Sequence, residues 1–180
     1  MPEEEEFIKQ LLDVKTQNTA FQKLLSTYQK PLYSHIRNIV LNHDDTDDVL
    51  QNTFVKIFQN LKNFKGESKL FSWMYRIATN EAISFLNQKA KKSGISSEAL
   101  QNKTIDNLEA DSYFDGNEMQ ISLHKAIAAL PEKQQLVFKM KYFQELKYEE
   151  ISDILGTSVG ALKASYHHAV KKIENILTSN

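Results

Sequence analysis

The sequence predicts an all-α protein of two small helical domains joined by a flexible linker, and three observations carry that expectation. Glycine (5) and proline (3) are scarce among 180 residues, too few for the tight turns of a sandwich or barrel. Apolar residues recur at helical spacing over most of the chain. Between two such regions, residues 93–117 turn to Ser, Asn, Asp, Glu and Gly without a clear period. An irregular stretch of that length is uncommon inside one domain, so the expected boundaries are 1–92, a linker at 93–117, and 118–180.

Residues 19–41 place Phe21, Leu24, Leu25, Tyr28, Leu32 and Ile39 on one helical face, with a kink or break expected at Pro31. A polar turn at Asn42 and His43 follows. Asp44, Asp45, Asp47 and Asp48 then sit where a helix N-terminus favours negative charge. That helix carries Val49 or Leu50, Phe54, Ile57 or Phe58 and Leu61 toward a stop at Gly66. Ser68 offers an N-cap for the next, which runs through Trp73, Ile77, Ile83 and Leu86 into Lys89–Lys92. Patterning resumes with Ile121, His124, Ile127 and Leu130, and Pro131 is placed to open another helix holding Leu136, Val137 and Met140.

Composition excludes several classes. With no cysteine there is no disulfide, thiolate metal site or Cys nucleophile. The Glu3–Glu6 run stands where a secretory signal would be basic, and no apolar run approaches the ~20 residues of a membrane span. A cytoplasmic protein without membrane insertion is expected. The net charge of -1 hides a segregation. Residues 56–92 carry Lys56, Lys62, Lys65, Lys69, Arg76, Lys89, Lys91 and Lys92 against Glu67 and Glu81 alone, whereas 93–120 set Lys103 against six carboxylates. A second lysine-rich block spans 133–172. Two basic regions flanking an acidic connector fit a polyanionic partner.

The segment Tyr148–Lys172 reads as a short helix, a turn at Gly156-Thr157, an N-cap at Ser158, and a last helix whose Leu162, Tyr166, Ala169, Ile173 and Ile176 form one stripe. This is the pattern of a helix-turn-helix, whose second helix enters the DNA major groove. The outward face would then present Val159, Gly160, Lys163, Ala164, His167 and Lys171, with Ser158 and Lys163 able to meet phosphate.

Both halves together resemble bacterial sigma factors, specifically the extracytoplasmic-function group that keeps only regions 2 and 4. The resemblance rests on Asp44–Phe54 and Phe64–Asn80 in the first half, and on Leu130–Gln134, Tyr148–Ile151 and Leu155–Gly160 in the second. It implies a subunit that directs RNA polymerase to promoters and promotes DNA melting. It also implies that Asp47, Asp48, Gln51 and Phe54 meet core RNA polymerase. Asn63, Phe64, Lys65, Lys69, Phe71, Trp73, Arg76 and Asn80 would then capture the opened minus-ten element, where aromatic platforms and cations serve bases and phosphates together. Ser158, Val159, Gly160, Lys163, Ala164, His167 and Lys171 would contact the minus-thirty-five element. The last helix departs from the family pattern, carrying Lys163 and Lys171 where many relatives have arginines, so lysine–phosphate contacts, amides and shape are expected over bidentate guanine reading.

The implied partners are core polymerase, promoter DNA and an anti-sigma factor, with no small-molecule substrate, cofactor or metal. The Asp cluster does not match a calcium loop, lacking Gly at the sixth position after Asp44 and Glu at the twelfth. Adjacent His167 and His168 point in different directions and do not form a joint metal site. No enzyme motif such as a phosphate-cradling Gly-rich loop or a His-Glu-x-x-His pair occurs. The alternative is a free-standing helix-turn-helix regulator whose first half senses a ligand or dimerises.

Overall fold

The computed structural model describes residues 2–179, and among them every regular element is helical. Helices α1 (Pro2–Leu12), α2 (Gln17–Val40), α3 (His43–Asn60) and α4 (Leu70–Lys92) form the N-terminal half. A short helix, α5 (Ser97–Asp106), leads to α6 (Glu118–Ala128), α7 (Glu132–Tyr142), α8 (Tyr148–Leu155) and α9 (Val159–Thr178).

Leu24, Leu32, Ile36 and Ile39 of α2 pack against Val49, Phe54 and Ile57 of α3 and Met74, Ala78 and Ala82 of α4. Asn42 caps α3, its side-chain oxygen accepting from the Asp45 amide at 2.9 Å. Pro31 lies inside an unbroken α2, on its exposed side, so the expected break does not occur. The cap of α4 is Lys69 rather than Ser68, and Pro131 stands at the N-cap of α7, one residue before the helix begins. The acidic N-terminal run folds into α1 and supplies a cap of another kind, since Glu4 accepts from the Leu70 amide at 2.8 Å, at the first turn of α4.

The connector is more structured than its composition suggests. Ser96 caps α5 by accepting from the Ala99 amide, and Leu100, Ile105 and Leu108 are buried. Ile105 and Leu108 pack with Ala128 against Leu41. Leu41 ends α2 at φ 64°, a left-handed conformation costly for leucine, and the burial of its side chain in that cluster helps hold it there. Farther along, Asp111 pairs with Arg37 at 2.6 Å. Burial works against ionisation of Asp111, but the Tyr113 amide and the Arg37 guanidinium outweigh it and hold the carboxyl below its ordinary range.

The two halves share one core. Val137 and Met140 of α7, Leu146, and Ile151 and Ile154 of α8 belong to the same buried cluster as α2–α4. A second cluster, Ala126, Ile127, Leu130, Phe138, Ala169 and Ile173, joins α6, α7 and α9. At the seam of the halves lies His35, 0% exposed. Its Nδ1 is 2.8 Å from the Gln144 side-chain amide and its Nε2 2.7 Å from the Thr79 hydroxyl, which itself donates to the Tyr75 carbonyl. Burial drives its pKa down to about 4, against the opposing Gln144 hydrogen bond. His124 is also lowered to about 4, by burial and then by the charges of Lys139 and Arg37.

Both imidazoles are therefore neutral in the folded chain at pH values where an unfolded histidine, with its ordinary value of 6.5, takes up a proton. Because the unfolded state binds more protons between the two values, stability is expected to fall as pH drops from about 6.5 toward about 4. Urea midpoints measured across that window check this, and His35→Gln, with one titrating ring fewer, should give a shallower decline.

Candidate nucleic-acid interface

Two separate surfaces emerge. On the N-terminal half, α3 gives way to a single 3-10 turn at Leu61–Asn63, and the chain then crosses to α4 through Gly66 at φ 71°. This loop brings Asn63 beside α4. Asn63, Trp73 and Asn80 line one cleft of about 310 Å³ together with Lys56, Asn60, Ile77 and Glu81. Phe64 leans on Trp73 with ring centroids 5.2 Å apart, and Phe71 on Tyr75 at 4.1 Å. Phe64, Phe71 and Trp73 are all half-buried against the core, so each ring serves packing while Trp73 also forms a wall of the cleft. Lys65 and Lys69 are exposed on the segment that joins Asn63 to α4.

Of the residues outside the predicted set, Lys56, Asn60, Ile77 and Glu81 share the cleft. Lys56 pairs with Glu81 across it. One helical turn separates Lys56 from Asn60 and Ile77 from Glu81, spacing that places each pair on a common face.

Arg76 is exposed but engaged, its guanidinium donating to the backbone carbonyl of Asp153 in α8. The opening turn of α3 divides its carboxylates. Asp45 pairs with Lys89 and Asp47 lies 3.5 Å from His43, while Asp48 and Gln51 face outward. Phe54, expected at a partner surface, is only 8% exposed and belongs to the core. Its position on the same face as Leu50 and Ile57 is the physical reason, because that face packs on α2 and α4.

The second surface is α9. Gly156 ends α8 at φ 64° with its amide bonded to the Ser152 carbonyl at 2.8 Å. Ser158 caps α9 by accepting from the Ala161 amide at 3.3 Å, so its hydroxyl is committed to the helix start. Leu162, Ala169 and Ile173 turn inward. Gly160, Lys163, Ala164, His167 and Lys171 are exposed, and Val159 is half-buried. Lys163 and Lys141 both place their ammonium groups near the Tyr148 ring, at 5.8 and 5.0 Å from its centroid. The rings of His167 and His168 are 6.0 Å apart and tilted, and the described residues contain no cluster of three or more metal-ligating side chains.

The order of these surfaces along the chain is matched by family. The model for sigma-70 region 2 covers residues 24–92 and that for sigma-70 region 4 covers residues 120–173, together well over half of the sequence. The chain belongs to the sigma-70 family. Both surfaces thus lie within named sigma regions, which disfavours a free-standing regulator with an unrelated first half. The ECF RNA polymerase sigma-E factor of Haemophilus influenzae is 29% identical over 164 residues, 87% of this chain and 86% of that one. The RNA polymerase sigma-H factor of Pseudomonas aeruginosa is 28% identical over 168 residues, 88% and 86% of the two chains. Among solved structures, CnrH in complex with the cytosolic domain of CnrY superposes with a TM-score of 0.70 at 18% identity, over 98% of each chain. The sigma factor RpoE bound to the anti-sigma factor NepR from Bartonella quintana gives 0.64 at 18% identity, over 88% of this chain and 96% of that one. These likenesses agree on the fold.

In this sigma factor the turn at Gly156 sets the angle between α8 and α9. A Cβ at Gly156 would meet nothing within 4 Å, so Gly156→Ala isolates the backbone cost of its left-handed conformation. Thermal or urea denaturation is expected to show a loss of about 1–2 kcal/mol.

Proposed function

We propose that this sigma factor, which directs RNA polymerase to promoters and promotes their melting, uses the Asn63–Trp73–Asn80 cleft to hold an unstacked base of the minus-ten element. The cleft itself carries this reading. It joins an aromatic wall to three asparagine amides that both donate and accept, with Lys65 and Lys69 at hand for the phosphates. Stacking holds a base of any identity, and amides select among base edges.

The outward face of α9 is assigned to the minus-thirty-five duplex. Lys163 and Lys171 supply phosphate contacts, and the small Gly160 and Ala164 allow the helix to approach the groove floor closely. Asp48 and Gln51, with Asp47 at their edge, are assigned to core polymerase, a role for which their exposure on α3 suits them. The Bartonella quintana relative was solved with an anti-sigma factor, and a partner of the same class is proposed here. The described residues include no helix long and apolar enough to cross a membrane, which accords with work on DNA in the cytoplasm. The chain is proposed to carry no catalysis of its own; binding energy on polymerase drives strand opening.

Reconstituted transcription with core polymerase is the direct test. The chain should start RNA synthesis on promoters of its own genome, and core that initiates equally well without it would defeat the assignment. Replacing Lys65 and Lys69 with Ala should reduce open-complex formation on the order of tenfold while leaving affinity for core unchanged. Equal loss of both properties would contradict the cleft reading. Lys163→Ala should weaken duplex binding and make its log–log salt dependence shallower by about 0.9, one phosphate contact; an unaltered slope would remove Lys163 from the interface.

A further inference from the structure

A second cavity, of about 540 Å³, lies between the two halves. Its walls are apolar over the larger part of their area, with Ile39 and Leu41 from the end of α2, Ile83 and Leu86 from α4, and Leu130 and Leu136 from the opposite half, while Gln101, Gln135 and the exposed Lys172 stand among its polar residues. Its size falls within the ~300–1,000 Å³ of small-molecule sites. Into it faces Lys139 of α7, only 3% exposed.

Lys139 is an anomaly. Neighbouring residues Val137, Phe138 and Met140 are buried in the two cores, yet among the described residues the Lys139 ammonium has no carboxylate within ion-pairing distance and no hydrogen-bond acceptor. Burial lowers its pKa to about 8, so at neutral pH it still carries a charge. Its ammonium is not among the sealed, unpartnered polar atoms of the core but opens onto the cavity, where a cation beside mostly apolar walls lacks the anionic partner that lysines in such settings ordinarily have. The nearest carboxylates among the cavity's residues, Glu98 and Glu132, are exposed at the rim and unpaired with it.

We infer that this cavity binds a small anionic amphiphile, a carboxylate with a hydrophobic chain, whose head group pairs with Lys139 and whose body fills the space between α2, α4 and α7. The chemistry is complementary at each end: one buried cation for one anion, and aliphatic walls for an aliphatic tail. A single-headed amphiphile suits the site better than an acidic peptide, because Glu98 and Glu132 among the exposed lining residues outnumber Lys172 and repel further negative charge. Since the walls come from both halves, an occupant also holds the halves together.

The test uses the full chain and dodecanoate, with displacement of a fluorescent dansyl fatty acid as the readout. Saturable one-to-one binding of dodecanoate is expected, with a rise in melting temperature. Lys139→Met, which keeps the length and removes the charge, should weaken it roughly tenfold or more, the contribution of one charge-assisted hydrogen bond. The uncharged 1-dodecanol, which needs no variant, should bind the wild-type chain correspondingly less well. Equal affinity for dodecanoate and 1-dodecanol, equal affinity of wild type and Lys139→Met, or unsaturable uptake would each overturn the inference. Displacement of the probe by an acidic apolar peptide but not by dodecanoate would also overturn it, assigning the cavity to a protein partner.

Discussion

Burial of α8 and the end of α7 against α2 and α4 is the interaction on which the rest of the arrangement depends. Ile151 and Ile154 are buried in the cluster that α8 shares with α2–α4, and α8 is too short to persist without tertiary packing. Packing two small helical units onto each other also raises the fraction of surface each buries, which is what units of this size lack on their own. His35 gives that seam a polar element. A neutral ring bonded to Gln144 on one side and Thr79 on the other accepts only one relative position of the halves, whereas aliphatic contacts alone tolerate sliding.

The same packing sorts the residues proposed to face DNA. The outward side of α9 is untouched by the seam, so its lysines remain available to a duplex. The α4 surface is partly spent, because Arg76 is held by the Asp153 carbonyl. A guanidinium satisfied by a backbone oxygen is not available to a phosphate at the same moment. The charge segregation along the chain therefore has a spatial counterpart: one cationic surface is open and the other is partly engaged by the half that carries the first.

The elements that could be read from sequence are those that announce themselves locally. The α9 stripe, the Ser158 cap and the Gly156 turn each follow from side-chain chemistry within a few residues, and so does the Asn42–Asp45 start of α3. What escaped depends on distant partners. In α5 the buried residues Leu100 and Ile105 are five apart, a poor helical stripe, and the helix is held by burial against Leu41 and α6 rather than by propensity. The burial of Phe54, which the family resemblance had set toward polymerase, follows from where α2 and α4 lie against the inward face of α3. Lys139 has no local signal, since a lysine beside Phe138 and Met140 reads as solvated. Of the minus-ten set, the side chains that line the cleft came from the family resemblance, supported by the pairing of aromatic and cationic residues, whereas Arg76's engagement with Asp153 spans 77 positions and has no sequence signature.

The proposed function places a geometric demand on this closed arrangement. A globular chain of 180 residues has a radius of gyration of about 16 Å. Two promoter elements whose names place them some twenty-five base pairs apart are separated by roughly 85 Å along B-DNA, at about 3.4 Å per base pair. A body that small does not touch both, so the halves must part before both surfaces are engaged. The connector is long enough: residues 93–117, fully extended at ~3.3 Å each, reach about 80 Å. Reaching that length requires undocking Ile105 and Leu108, breaking Arg37–Asp111 and exposing the seam around His35. Because each of those contacts favours the closed state, polymerase and DNA must together bind the open state more tightly by at least their combined free energy. The strength of the seam thereby sets how much partner binding is needed before the second DNA surface is released.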